Sequence, residues 1–180
     1  MSLIEKLPAK FRQRCEAIST QQRSILGLRA FDALPARMLA KHLNAHIFTP
    51  SDLPSLDRLQ LLKLVKSEQW SAIIIRQNPL WIAHNPEHSA ARQESNLMHE
   101  LAHILLEHRS ITLNASDGSS TREDKREEEA TFLGGCLQIP KRGLLWAKQS
   151  NLTKVQIADH FLASQEMVSF RCAVTGVKLS

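Results

Sequence analysis

The amino-acid sequence predicts an α+β fold, in which helices pack on a small antiparallel β-sheet. Two observations lead to this prediction: apolar residues recur at helical spacing along most of the chain, and two short β-prone segments adjoin near its middle. The 180 residues suffice for one domain with a small appendage, and a composition of 43% hydrophobic and 23% charged residues is typical of a soluble globular protein. A disordered, collagenous or coiled-coil chain is therefore excluded.

The N-terminal part of the chain is predicted to be mainly helical. Its apolar spacing, its Gly and Pro positions and a suitable helix cap at Ser55 define the segments. In order, we expect a helix over residues 2–34 with a break near Gly27, a helix over 36–45 that begins after Pro35, a short strand over 46–48 and an amphipathic helix over 55–68.

The middle of the chain is predicted to contain a β-hairpin. Residues 71–77 include three consecutive Ile, and residues 80–84 form a second β-prone run. Asn78 and Pro79, which lie between the two runs, are typical turn residues. We therefore expect an antiparallel pair of strands here.

The C-terminal half is predicted to be helical again, apart from a polar loop over residues 109–121. The helix before that loop, over about residues 89–108, has a broad apolar face. Further helices are expected over 122–138, over 142–149 and as a pair between 152 and 176, joined near Ala163 and Ser164 and capped by Thr153 and Ser164. We assign residues 1–140 to one domain and residues 141–180 to a helix-turn-helix-like tail.

Charge and cysteine content narrow the function. The formal net charge is +5, but residues 67–140 are net acidic, lie between two net basic arms, and hold five of the eight His. Carboxylates and imidazoles together indicate a metal site. Three scattered Cys favour a reducing compartment, and the sequence shows neither a secretory signal nor an apolar run long enough for a membrane span. We expect a cytoplasmic protein without a membrane partner.

The strongest chemical signal is an HExxH motif formed by His99, Glu100 and His103. The spacing of four residues places both imidazoles on one helical face, where two ring nitrogens can bind one Zn²⁺. Glu100, next to the first ligand, is then in position to act as general base, as in zinc peptidases. The neighbouring residues are apolar, and a buried imidazole without a partner is costly, so a bound metal explains the motif.

A catalytic zinc needs a third protein ligand. Three consecutive acids, Glu127, Glu128 and Glu129, lie in the next predicted helix, beyond a loop long enough to let the two helices pack together. One of these carboxylates is the expected ligand. An acidic first turn is otherwise a solvated feature that the helix dipole favours, and the residues alone leave the choice among the three open.

Three stretches of the chain carry a family pattern: ARQESNLMHELAHILLEH, EEEATFLGGCLQIP and IADHFLASQEMVSFRCAVTG. Together they resemble the ImmA/IrrE family of metallopeptidases, through its approach to HExxH, its E-x-E/Q-A pattern and its helix-turn-helix-like tail. The resemblance extends over nearly the whole chain from about Pro35. It implies zincin-like helices packed on the small sheet.

The resemblance also implies roles for individual residues. It places metal ligands at His99, His103 and Glu127 and the general base at Glu100, with Zn²⁺ as the ion and Mn²⁺ as an alternative. Thr131 stands where the family has Asn or Asp, four residues beyond Glu127, where it would support a ligand by a hydrogen bond.

Two further departures from the usual pattern bear on the site. Gly134 and Gly135 replace two Ala of the family, which would weaken the helix but allow a close approach to the site. The chain also has no Tyr to stabilise the oxyanion of a peptidase reaction. His84, His88 and Arg92 are the nearest candidates in sequence, and we place His84 at a strand edge where a peptide substrate could add.

The implied reaction is peptide hydrolysis, and the implied substrate is a helix-turn-helix transcriptional repressor whose cleavage relieves repression. Two alternatives remain from the sequence. One is a catalytically idle relative that displaces a repressor without cutting it. The other is a metal-responsive DNA-binding protein, in which Gln165, Ser169 and Arg171 of the tail would face the bases.

Overall fold

A computed structural model confirms the α+β class and describes residues 7–52, 70–108 and 120–179, without the side chains of residues 120–123. The described elements are, in chain order, α1 (Ala9–Ile25), α2 (Ala36–His42), β1 (Ala45–Phe48), β2 (Ala72–Gln77), β3 (Leu80–His84), α3 (Ala90–Leu105), α4 (Ser120–Gln138), α5 (Lys141–Gln149), α6 (Lys154–His160) and α7 (Gln165–Thr175). The helix predicted over 55–68 and most of the loop predicted over 109–121 lie outside the described residues.

The three strands form one mixed sheet in the order β1-β3-β2. The predicted hairpin is confirmed, because β2 and β3 pair antiparallel around Asn78 and Pro79. The prediction of a purely antiparallel sheet is wrong, since β1 pairs parallel with β3. A parallel neighbour requires a long connection, and the chain between β1 and β3, which includes β2, is long enough to provide one.

The first described helix is shorter than its apolar spacing predicts. Helix α1 ends at Ile25, and Gly27 follows in the left-handed region with φ 72°. The N–H of Leu28 then bonds to the carbonyl of Arg23 at 2.8 Å, which closes the turn. The predicted break at Gly27 is thus confirmed, but residues 28–34 are not helical.

The two predicted helix caps in the C-terminal part are confirmed. The Thr153 hydroxyl accepts a hydrogen bond from the N–H of Gln156, whose side chain accepts one in return from the N–H of Thr153, so α6 begins with a full capping box. The Ser164 hydroxyl accepts from the N–H of Met167 at the start of α7. These local bonds explain why the sequence alone located both helix starts.

Two main apolar clusters hold the described residues together. The larger cluster unites α1, α2, β3, α3 and α4, and the smaller one unites α5, α6 and α7. Fully buried members of the larger cluster include Leu39, Ile82, Leu101 and Leu133, and those of the smaller one include Leu144, Ile157 and Val168. None of the described helices is at once long enough and apolar enough to cross a lipid bilayer.

Buried charged groups join the C-terminal end of α4 to α1 and α7. Arg23 donates to the carbonyl of Leu137 at 2.8 Å, and Arg171 donates to the carbonyl of Ile139 at 2.8 Å and pairs with Glu16. The last carbonyls of a helix lack intrahelical partners and favour cations, so two arginines suit this position. We call Glu16, Arg23 and Arg171 the arginine clasp. Because Arg171 is fully buried, it does not face DNA bases in this packing.

Candidate metal centre

Helix α3 carries the HExxH motif on its partly exposed side. Four apolar residues of this helix are fully buried in the larger cluster: Leu97, Met98, Leu101 and Ala102. The helix begins with Ser89, whose hydroxyl accepts from the N–H of Arg92. The packing leaves His99 and His103 one turn apart, with their Nε2 atoms separated by 3.1 Å. The spacing argument for two imidazoles on one face is borne out by this geometry.

Helix α4 packs along α3 and supplies the acidic partner. Its residues Glu127, Thr131 and Gly134 share one face at helical spacing. A Cβ added at Gly134 would lie 3.3 Å from both the Cα and the main-chain N of His99. The missing side chain therefore allows the two backbones to approach each other beside the motif, as expected for this glycine.

Glu127 contacts both imidazoles through its two carboxylate oxygens. Its Oε2 lies 3.0 Å from His99 Nε2, and its Oε1 lies 3.3 Å from His103 Nε2. Hydrogen bonds from His103 and His99 hold the pKa of Glu127 well below its usual range. The pKa of His99 is raised, because burial, which favours the neutral ring, is outweighed by the hydrogen bond to Glu127 and the charge of Glu100.

The donor set of His99, His103 and Glu127 fits a divalent metal ion. Two imidazole nitrogens and a carboxylate are a common donor set of catalytic zinc sites. Ligands at 2.0–2.2 Å from a tetrahedral ion lie about 3.3–3.6 Å apart, close to the observed separations. Three lone-pair atoms at such distances repel each other unless a proton or a cation lies between them. The side chain of Glu127 is 54% exposed, so the cluster is open to solvent.

Glu100 lies beside this cluster, and a strand of the sheet holds its carboxylate in place. The main-chain N–H of Ile74 in strand β2 donates a hydrogen bond to its carboxylate. Burial raises the pKa of Glu100 to about 7, although the neighbouring His99 and His103 act in the opposite direction. A carboxylate with a pKa near neutrality is well matched to accepting and releasing a proton.

Thr131 contributes only a weak contact. Its hydroxyl lies 3.5 Å from His99 Nδ1, at the outer limit of a hydrogen bond. The residue therefore lies where the resemblance implies, next to a proposed ligand, but its short side chain reaches the ring only marginally.

Of the three candidates for oxyanion stabilisation, the two histidines have other partners and the arginine is exposed. Arg37 donates to His84 Nε2 at 3.1 Å, and Asn96 lies 3.2 Å from His88 Nδ1. Arg92 is exposed on the first turn of α3. Within the described residues, none of the three forms a hydrogen bond or ion pair with the cluster. His84 also ends the central strand β3, so the expectation that it marks a free strand edge is wrong.

His108, to which the sequence pattern gave no role, adjoins the cluster together with Glu129, one of the three candidate acids. His108 Nδ1 lies 3.0 Å from His103 Nδ1, and His108 Nε2 lies 3.2 Å from a carboxylate oxygen of Glu129. His108 lies five residues beyond His103, and that spacing does not belong to one helical face. Periodicity therefore gave no signal for it, and only the turn at the end of α3 brings it back to the motif.

Comparison with known proteins agrees with this arrangement. The family model described as the IrrE N-terminal-like domain, Peptidase_M78, matches residues 64–173. No curated protein and no solved structure matches the chain. The matched segment contains the HExxH motif, Glu127 and most of the C-terminal helices, and it spans more than half of the sequence. The chain therefore belongs to the ImmA/IrrE family of metallopeptidases.

Proposed function

We propose that this protein is a zinc-dependent endopeptidase that hydrolyses a peptide bond within a protein substrate. The observation that carries the proposal is the convergence of His99 Nε2, His103 Nε2 and the Glu127 carboxylate, with the Glu100 carboxylate beside them. Two nitrogen donors and one oxygen donor favour Zn²⁺, while Mn²⁺, which prefers more oxygen ligands, remains the alternative ion.

The residues of the cluster divide the chemistry among them. His99, His103 and Glu127 would hold the ion, which would supply Lewis acidity for the activation of water and of a peptide carbonyl. Glu100 accepts the proton of the attacking water on its carboxylate and delivers it to the leaving amine. The N–H of Ile74 orients that carboxylate, so strand β2 fixes the position of the general base.

Strand β2 also offers the best place for an extended substrate. It is an outer strand of the described sheet, whereas β3 is covered on both sides. Its residue Ile74 bonds directly to Glu100, so a peptide added along β2 would pass next to the general base. We therefore propose that the substrate binds along β2 rather than along β3, the strand that contains His84.

The proposed substrate is a helix-turn-helix transcriptional repressor in the cytoplasm, cleaved to relieve repression. The family resemblance supports this substrate class, and the three free cysteines suit a reducing compartment. The alternative of a DNA-reading tail is weakened by the burial of Arg171, one of its three proposed base contacts. The tail is then a packed part of the protein rather than a separate reader.

The direct test compares Glu100→Gln with the wild type. We expect the variant to retain its zinc and to lose cleavage of a candidate repressor, followed by mass spectrometry of the products. Glu107→Gln, at an exposed glutamate beyond the end of α3, is the matched control and should cleave normally. Unchanged cleavage by Glu100→Gln would exclude the peptidase mechanism. Loss of cleavage with retained relief of repression would instead identify a protein that acts by displacement.

A further inference from the structure

We propose that His108 and Glu129 are positioning residues, which hold the His103 ring in the orientation needed to bind a metal ion. The inference rests on the proposed function, since it takes His103 Nε2 to be a metal ligand. His108 lies in the turn that follows α3, and Glu129 lies in α4 two residues beyond Glu127. The pair therefore connects the end of α3 with α4. It does so at the Nδ1 side of the His103 ring, away from the Nε2 atom that faces the other proposed ligands.

The turn after α3 places His108 against His103. The N–H of Glu107 bonds to the carbonyl of Ile104 at 3.0 Å, and the N–H of His108 bonds to the carbonyl of His103 at 2.9 Å. Glu107 has a left-handed backbone with φ 56°. These features define a Schellman motif, in which the last residue of the turn packs its side chain over the residue five positions earlier.

Three other helices among the described residues end in the same way. After α1, α5 and α6, the final N–H of the turn also bonds five residues back, and the following pairs result: Leu28 on Arg23, Leu152 on Ala147, and Ala163 on Ala158. The final residue is apolar in each of these turns, as is usual for the motif. At α3 the two residues are both imidazoles. The geometry of this turn is therefore common, and what needs an explanation is the pair of imidazoles at the end of α3.

The hydrogen bonds behind His103 form a chain with only one consistent proton arrangement. If His103 Nε2 gives its lone pair to a metal, its Nδ1 carries the proton and donates to His108 Nδ1 at 3.0 Å. His108 then carries its own proton on Nε2 and donates to Glu129 at 3.2 Å. Fixing the second ring nitrogen in this way sets the tautomer and the orientation of a ligand histidine.

The surroundings make this chain effective. The side chains of His103, His108 and Glu129 are 14%, 10% and 19% exposed, respectively, so water competes little for their hydrogen bonds. The Nδ1 atom of His99, in contrast, has only the long contact from Thr131 among the described residues. The rigidity of the site on the His103 side therefore depends mainly on His108.

The experiment measures the Zn²⁺ dissociation constant of the full chain by competition with a chromophoric chelator, together with the melting temperature of the metal-free protein. His108→Phe keeps a ring in the turn and removes the acceptor, and Glu129→Gln keeps the shape and removes the charge. We expect both to bind Zn²⁺ about 10- to 100-fold more weakly, with metal-free melting temperatures near that of the wild type. His42→Ala, at an exposed histidine of α2, is the control and should bind normally.

A conservative variant separates positioning from packing. His108→Asn places an amide oxygen near the former Nδ1, so it should bind Zn²⁺ more tightly than His108→Phe although it fills less space. Equal Zn²⁺ affinity of His108→Phe and the wild type would overturn the inference and leave the proposed function intact. A wild-type chain that binds no Zn²⁺ would overturn the proposed function, and the inference with it.

Discussion

Helix α4 takes part in two charged clusters of opposite kinds. Near its middle, Glu127 faces His99 and His103 in a cluster that is open to solvent. At its end, the carbonyls of the last turn accept from the arginine clasp, in which Arg171 is fully buried. Both clusters join α4 to neighbouring helices through long-range polar contacts: α3 at the first, and α1 and α7 at the second.

The two clusters differ in what they contribute: we expect the proposed function to depend on the candidate metal centre and the stability of the fold to depend on the arginine clasp. In the arginine clasp, each cation meets a helix carbonyl or a carboxylate, so its partners are already present within the fold. At the candidate metal centre, the two imidazoles and the Glu127 carboxylate contact one another in a cluster whose donor set fits a divalent ion. The partners of the clasp lie within the fold, whereas the candidate metal centre offers its side chains to an ion. Substitutions at the two clusters should therefore affect different measurements.

The largest expected effect is the loss of metal binding in Glu127→Gln. Removal of one of three ligands should weaken Zn²⁺ binding by more than the roughly 10- to 100-fold that is typical of residues which only support a ligand. The metal-free protein should unfold at nearly the same urea concentration, because the side chain is half exposed. Asp124→Asn, on an exposed residue one turn earlier in α4, is the control for elemental analysis of bound zinc. Full zinc occupancy in Glu127→Gln would remove Glu127 from the site.

The next effect is a loss of stability in Arg171→Met. This change leaves Glu16 without its cation and the Ile139 carbonyl without its donor, at a cost of about 3–5 kcal/mol in the free energy of unfolding. Urea denaturation of the metal-free protein measures it. Arg29→Met, which breaks an exposed ion pair with Asp32, should change little. If Arg171→Met were as stable as the wild type, the arginine clasp would not stabilise the fold, and the comparison of the two clusters would fail.

Two neighbouring glycines of α4 allow a finer test of the same comparison. Gly134→Ala would press on the backbone of His99, which must move by a few tenths of an ångström, so we expect Zn²⁺ binding about tenfold weaker. Gly135→Ala would instead meet Arg171 of the arginine clasp, with Cδ at 3.0 Å, and its neighbour Phe170 at 3.1 Å, and should cost about 1–3 kcal/mol of stability with normal Zn²⁺ affinity. Identical profiles for the two variants would argue against separate roles for the two clusters.

The smallest effect concerns the turn that carries His108. Glu107 has a left-handed backbone, which Gly adopts without steric cost, so Glu107→Gly should raise the free energy of unfolding by about 0.5–1 kcal/mol. Zn²⁺ affinity should not change, because His108 keeps its place. Asn151→Gly at the matching turn after α5 should stabilise less, since Asn tolerates this conformation better than Glu. A loss of stability in Glu107→Gly would show that its side chain, rather than its backbone, matters.

Part of the candidate site was predictable because it depends on local geometry. The spacing of His99 and His103 on one helix requires only the periodicity of an α-helix, and the apolar residues around the motif predict that helix. The caps at Thr153 and Ser164 are similarly local, since each bonds to an N–H three residues away. For the same reason the hairpin of β2 and β3 could be located from its strands and turn.

Contacts between distant segments were decided by the tertiary structure alone. The residues left open which of three consecutive acids reaches the imidazoles; packing directs Glu127 to them and Glu129 to His108. The direction of β1, the burial of Arg171 and the pKa of Glu100 likewise depend on what lies against them. The sequence by itself determined the helix that carries the motif and the chemistry of its ligands, because these depend on periodicity and residue type. The packing of α4 and the turn at His108 determined the completed cluster, because convergence of side chains is a property of the folded chain.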